Sequence, residues 1–242
     1  SLAQFRIYLN GLIVDTSGEV RIARDSPDDL EIDLTSQVGA FELEQALALW
    51  PVKFAPLTKS WVRDNINTVK TELGTARLTG LLSEWRKFGT DVRPNPSIID
   101  IEIPFYDANI RYLPYLPPLQ NVRGSIFISG DSFHATASEG LVDLTQLASS
   151  QLAENIAGGG EFASDPSKQS KLAKVSKAQF YTPKFSAGGG IGKASFTVEG
   201  NVDALLTAVE VPQINALKRT SFSAQDFVGT AVADVELKFP MG

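Results

Sequence analysis

From Phe5 to Phe239 the chain keeps returning to one pattern, an apolar residue at every second position. Phe5, Ile7 and Leu9 alternate with Arg6, Tyr8 and Asn10, and Leu30, Ile32 and Leu34 alternate with Glu31, Asp33 and Thr35. Ile99, Ile101, Ile103 and Phe105 alternate with Asp100, Glu102 and Pro104. Ala108-Ile110-Tyr112, Phe133-Ala135-Ala137, Ala194-Phe196-Val198 and Ala233-Val235-Leu237-Phe239 read the same way. Successive side chains of a strand point to opposite faces, so each segment carries one apolar and one polar face. Strands buried on both faces of a parallel sheet would instead read as continuous apolar runs. The pattern predicts a mainly β chain built on antiparallel sheet covered or filled on one side.

Helical signals are short and fall at 42–49, 58–66 and 202–209, with Thr58 as a candidate N-cap. Two of them share a context. Asp33-Leu34-Thr35-Ser36 leads through Gly39 into the first and Pro51 follows; Phe196 to Gly200 leads into the last and Pro212 follows. The recurring order of strand, tight turn, short helix and proline suggests an architecture built by repetition. The whole chain, 1–242, therefore reads as one β-rich module of a longer repetitive protein. Residues 145–177 stand apart, with a Gly158-Gly159-Gly160 triplet and Lys168, Lys171, Lys174 and Lys177, and read as a mobile insertion between strands. Arg93-Pro94-Asn95-Pro96 is a second natural break, and the three prolines between Tyr112 and Leu119 suggest an extended stretch rounding a rim.

Composition excludes several chemistries. The chain has no cysteine and a single histidine, His134, so thiolate and multi-histidine metal sites and cysteine nucleophiles are ruled out. A net charge of -6 argues against broad attraction to nucleic acid. No apolar run reaches the roughly 20 residues that span a bilayer. The chain starts at Ser1 and its one methionine is Met241, which suggests an excised or processed piece.

The nearest approaches to catalytic motifs are incomplete. Asp131, Ser132 and His134 are close in sequence, but on a strand Ser132 and His134 share the polar face while Asp131 points away. Gly188-Gly189-Gly190-Ile191-Gly192-Lys193 fails the phosphate-loop pattern, with Ala187 and Ala194 where glycine and Ser/Thr are needed. Asp28-Asp29 reads as part of a turn, a setting that does not support general acid/base work. The lysines from Lys168 to Lys177 form either a solvated loop or a stripe suited to anionic lipid headgroups. No catalytic residue, metal or cofactor is expected.

Trp50-Pro51 followed by Pro56-Leu57-Thr58-Lys59-Ser60-Trp61-Val62-Arg63-Asp64-Asn65 is similar to the WP…P-x-T-[RK]-x-W stretch of the AsmA-like, YhdP-like family of bacterial envelope proteins. Tyr112-Leu113-Pro114 and Leu116-Pro117-Pro118-Leu119, then Val122 to Ile126, resemble its Y-x-P-x-L-P-P-L segment, and Phe133 to Gly140 fits the sequel. Val202-Asp203-Ala204-Leu205-Leu206, Phe227-Val228-Gly229 and Val235 to Pro240 resemble its repeating units. The likeness covers roughly 30–140 and 178–242, and departs at Asn67-Thr68, where the family has glycine. It implies an elongated, curved antiparallel sheet, groove- or taco-like with a few short helices. Such a protein is periplasmic, tethered to the inner membrane by a helix absent from this chain, and moves phospholipid between membranes. Acyl chains would then lie on the apolar strand faces, with Ile99, Ile101, Ile103, Phe133, Phe196, Val235 and Leu237 as candidate lining residues. The expected partners are phospholipid and envelope proteins. A structural or protein-interaction β-module of the envelope is the alternative, with a polysaccharide-binding domain or an enzyme behind it. Alternation fits a groove and a closed sandwich equally well.

Overall fold

The structure, a computed structural model, describes residues 2–24, 26–50, 56–85, 99–130, 132–145, 147, 171–183, 191–214, 217, 222 and 224–240. Its strands are β1 (Leu2–Leu9), β2 (Leu12–Ala23), β3 (Ser26–Val38), β4 (Ile66–Thr71), β5 (Gly74–Leu81), β6 (Ile99–Ile110), β7 (Leu119–Ser129), β8 (Ser132–Asp143), β9 (Leu172–Thr182), β10 (Ile191–Asn201) and β11 (Thr230–Pro240). All 11 belong to one open antiparallel sheet, in the order β1-β2-β3-β5-β6-β7-β8-β9-β10-β11. β4 pairs with Phe105–Ile110 of β6 and β5 with Ile99–Glu102, so the two run in line along one side of β6, interrupted at Glu72 and Leu73. The fold is thus mainly β, an open sheet rather than a sandwich.

The short helices are α1 (Leu43–Leu49), α2 (Pro56–Asn65), α3 (Leu82–Trp85) and α4 (Val202–Glu210). α1 opens where the Glu42 N–H donates to Gln45 Oε1 at 3.0 Å. Thr58 lies inside α2 instead of capping it; Pro56 starts the helix, in the first turn where a missing N–H costs nothing. Because α1 follows β3, α2 precedes β4 and α4 follows β10, all three sit at the same end of the antiparallel sheet.

Close packing concentrates there. Val142, Leu144, Ala173 and Val175 are buried with Ala204 of α4, and Phe105, Ala108 and Val122 form a second cluster. Among the described residues the largest fully buried side chains are Val122 and Thr182. A closed sandwich of this size would bury Leu, Ile and Phe completely. The chain exposes 15391 Å², against about 10,500 Å² for a compact monomer of equal mass. Most apolar side chains therefore lie on a single sheet with a thin covering.

A line of irregularities crosses the strands next to this packed end. Asp107 in β6, Asn121 in β7 and Lys177 in β9 adopt left-handed backbone, with φ of 56°, 54° and 52°. Register shifts fall beside Asp107 and Asn121, and Ser138 is an extra residue of β8 relative to β7. Bulges increase local twist and bend the strands that carry them. Here they fall on the adjacent strands β6, β7 and β8 and again in β9.

Three expectations change. Residues 172–177 are not insertion but the start of β9, held by pairs such as Val142↔Ala173 and Gly140↔Val175; 148–170 lies outside the described residues. Tyr112 to Leu119 is not extended, because a turn closes with Leu116 N–H donating to Leu113 O at 3.3 Å. Ala108 and Ile110 continue β6, the bulge at Asp107 keeping them on the face of Phe105. The Arg93–Pro96 break, like Asp131 and Gly188 to Gly190, lies outside the described residues.

Candidate functional site

Residues in register on neighbouring strands share a face, so the pairing can be followed across the sheet. One line runs Ile7, Val14, Val38, Gly74, where Gly74 abuts Ile103. It continues Ile103, Ile126, Ala135, Phe180, Ala194, Leu237. A parallel line holds Ala76, Ile101, Ile128, Phe133 and Thr182, and Leu34 and Leu78 lead to Ile99. Phe196 stands opposite Val235, and the Phe133 and Phe180 rings are 5.9 Å apart.

The structure thus brings all seven candidate residues to one face. Ile99 is buried; Ile101, Ile103, Phe133, Phe196 and Val235 are half-buried; Leu237, on the outermost strand, is exposed. Between the packed helix end and the opposite end, this face is a continuous apolar surface crossing the width of the sheet. Two hydroxyls on it pair with each other, Thr16 Oγ1 and Ser36 Oγ at 2.9 Å. Thr182 Oγ1 is buried without a hydrogen-bond partner among the described residues.

The other face is charged. Arg6 pairs with Asp15, Arg21 with Glu31, Arg77 with Asp33, and Lys70 with Asp107, at 2.5 to 3.1 Å. Hydrogen bonds from Arg6 and Arg77 hold the Asp15 and Asp33 carboxyls below their ordinary value. Such exposed pairs add little stability; they show which face meets water. Arg123 is the densest node, within 3.2 Å of Glu72 and 3.5 Å of Glu139 and lying over the Tyr106 ring. A row of rings interrupts this face, with His134 stacked on Phe127 at 5.8 Å and edge-on to Tyr181 at 6.4 Å.

Ser132 shares the polar face with His134, but its Oγ donates to Ser129 O at 2.9 Å. Lys174 is in β9, opposite Leu141 and Glu199, while Lys171 pairs with Asp203. The lysines do not form one stripe, and Lys168 lies outside the described residues. No cluster of three potential metal ligands occurs among the described residues.

Ile126, Ile128, Val175, Ala178 and Phe180 belong to the apolar face and were not singled out from sequence. Phe127, between two isoleucines, hides the alternation of β7. The bulge at Lys177 shifts its phase in β9, from Ala173 and Val175 to Ala178 and Phe180. No family model, curated protein or solved structure matches the chain.

Proposed function

We propose that this chain is a non-enzymatic, lipid-binding segment of a periplasmic bridge-like protein. Its apolar face holds phospholipid acyl chains and supports their movement between inner and outer membranes. The observation that carries the reading is the unbroken apolar face of a one-layer sheet, half-buried in its middle and backed by a charged face. Shielding an acyl chain from water contributes about 0.8 kcal/mol per CH₂, so a surface of this kind needs no catalytic group to bind lipid. Headgroups would remain in water, and the membrane anchor would lie outside this chain. The row of rings Phe127, His134 and Tyr181 on the charged face favours a second reading, a structural or protein-interaction β-module of the envelope.

The test is organic extraction of the protein purified from bacterial membranes, followed by mass spectrometry and a transfer assay between donor and acceptor vesicles. Co-purifying phospholipid and accelerated transfer support the proposal. A lipid-free protein that accelerates nothing supports the module reading.

A further inference from the structure

We infer that the charged face of the sheet carries a separate binding site, a strip across β7, β8, β9 and β10 that takes an extended β-linked glycan. Two register lines make the strip. Phe127, His134, Tyr181 and Lys193 stand in one. Ser125, Thr136, Gln179 and Ser195 stand in the next, two residues along each strand.

The strip differs from the rest of its face. On β1 to β5 the charged side chains satisfy one another, Arg6 with Asp15, Arg21 with Glu31 and Arg77 with Asp33. In the strip only Lys193 carries a fixed charge. The hydroxyls of Ser125, Thr136 and Ser195 and the Gln179 amide make no side-chain hydrogen bond among the described residues. Tyr181 is 42% exposed, and Phe127 and His134 are half-buried beside it. Open neutral donors and acceptors therefore run along one side and aromatic rings along the other.

A pyranose has the same division, with hydroxyls around its edge and C–H groups on its faces that pack against aromatic rings. An anionic chain such as nucleic acid would need clustered cations, which the strip lacks. A protein partner would need an apolar centre, and the strip has rings but no Leu, Ile, Val or Met. Spacing sets the orientation. Neighbouring strands lie about 4.8 Å apart, close to the length of one pyranose unit in an extended chain, so a glycan lying across the strands sets one sugar on each. The two lines are about 7 Å apart along the strands, a gap that one sugar ring spans. On the β7–β8 side, Ser125 and Thr136 also border an open cavity of about 320 Å³ with Glu72, Arg123 and Ser138. Glu72 and Glu139 hold Arg123 there, and the cavity seats a polar substituent of the chain. The inference does not depend on what fills the apolar face.

The test is electrophoresis of the full chain through native gels containing hydroxyethyl cellulose or glycol chitin, a β-glucan and an N-acetylated β-glycan, against a gel with neither. The expected result is retardation by at least one of them. Tyr181→Ala and His134→Ala each weaken it about tenfold. Gln179→Ala, at an exposed position where folding is untouched, weakens it about threefold. Tyr8→Ala removes a 68% exposed ring of the same face in β1 and leaves retardation unchanged. Unaltered mobility of the parent chain in both gels overturns the inference, and is the result if the ring row serves a protein partner. So does retardation that survives all three strip variants, or that Tyr8→Ala weakens equally. None of these outcomes bears on lipid retention by the apolar face.

Discussion

Ile101 and Val122 are both apolar strand residues, yet they stand in different surroundings. Val122 is 1% exposed and enclosed with Phe105 and Ala108, whereas Ile101 is half-buried on the open part of the apolar face. Val122→Asp places an unpaired carboxylate where water cannot follow, and should cost at least about 4 kcal/mol and unfold the chain. Ile101→Asp can hydrate when the face is empty, and should cost about 1–2 kcal/mol while abolishing lipid retention. Thermal melting and lipid extraction of the two variants separate these outcomes. Equal loss of folding would mean the face is closed. Thr182 supplies an opposite test, since its hydroxyl is buried without a partner among the described residues. Thr182→Val should raise stability by about 1 kcal/mol, the desolvation penalty of an unpaired group, and a denaturant midpoint that falls instead would show that the hydroxyl is satisfied.

At the scale of elements, alternation made β1, β3, β6, β8, β10 and β11 legible, because each keeps one phase over most of its length. The others were hidden for separate reasons. β2 presents Thr16 and Gly18 on its apolar side, and β5 presents Gly74, Ala76 and Gly80, so neither shows a run of large residues. The Asn10-Gly11 pair that joins β1 and β2 has φ values of 48° and 82°, which suit the mirror-image turn between adjacent strands. The bulges left no such trace, as their left-handed positions carry Asp, Asn and Lys. Asn tolerates that backbone and a β-branched residue does not, so Asn121→Val should cost about 1–3 kcal/mol and Asn121→Gly almost nothing, in chemical denaturation. Helix α4 is tied to the foot of β9 by Lys171 Nζ and Asp203 Oδ2 at 2.7 Å, and this hydrogen bond holds the Asp203 carboxyl below its ordinary value. A carboxyl depressed in the folded state contributes stability above its unfolded value near 4, and that contribution is lost as pH falls through the folded value. Asp203→Asn should therefore flatten the acid side of the stability profile below pH about 4 and leave its shape at pH 7 unchanged. A profile identical to that of the parent chain would remove this tie from the account.

At the scale of the molecule, the sequence separated an apolar from a polar face without deciding whether the apolar one was closed. The answer lies in connectivity, since all the strands among the described residues join one continuous ladder and none is left to form a second, covering sheet. Helices α1, α2 and α4 gather at one end, the bulges lie beside them, and the rest of the apolar surface is what the proposal assigns to lipid. The most direct measurement places a photoactivatable side chain at Ile101, Ile126 or Phe180 on the apolar face, and at Glu102, Ser125 or Gln179 on the charged one. Each protein is equilibrated with phospholipid vesicles, irradiated, and analysed by intact-mass spectrometry. Phospholipid adducts at the first three positions and none at the second three are the predicted result. Adducts at neither set, or equally at both, would contradict the proposal that this sheet holds lipid on its apolar face.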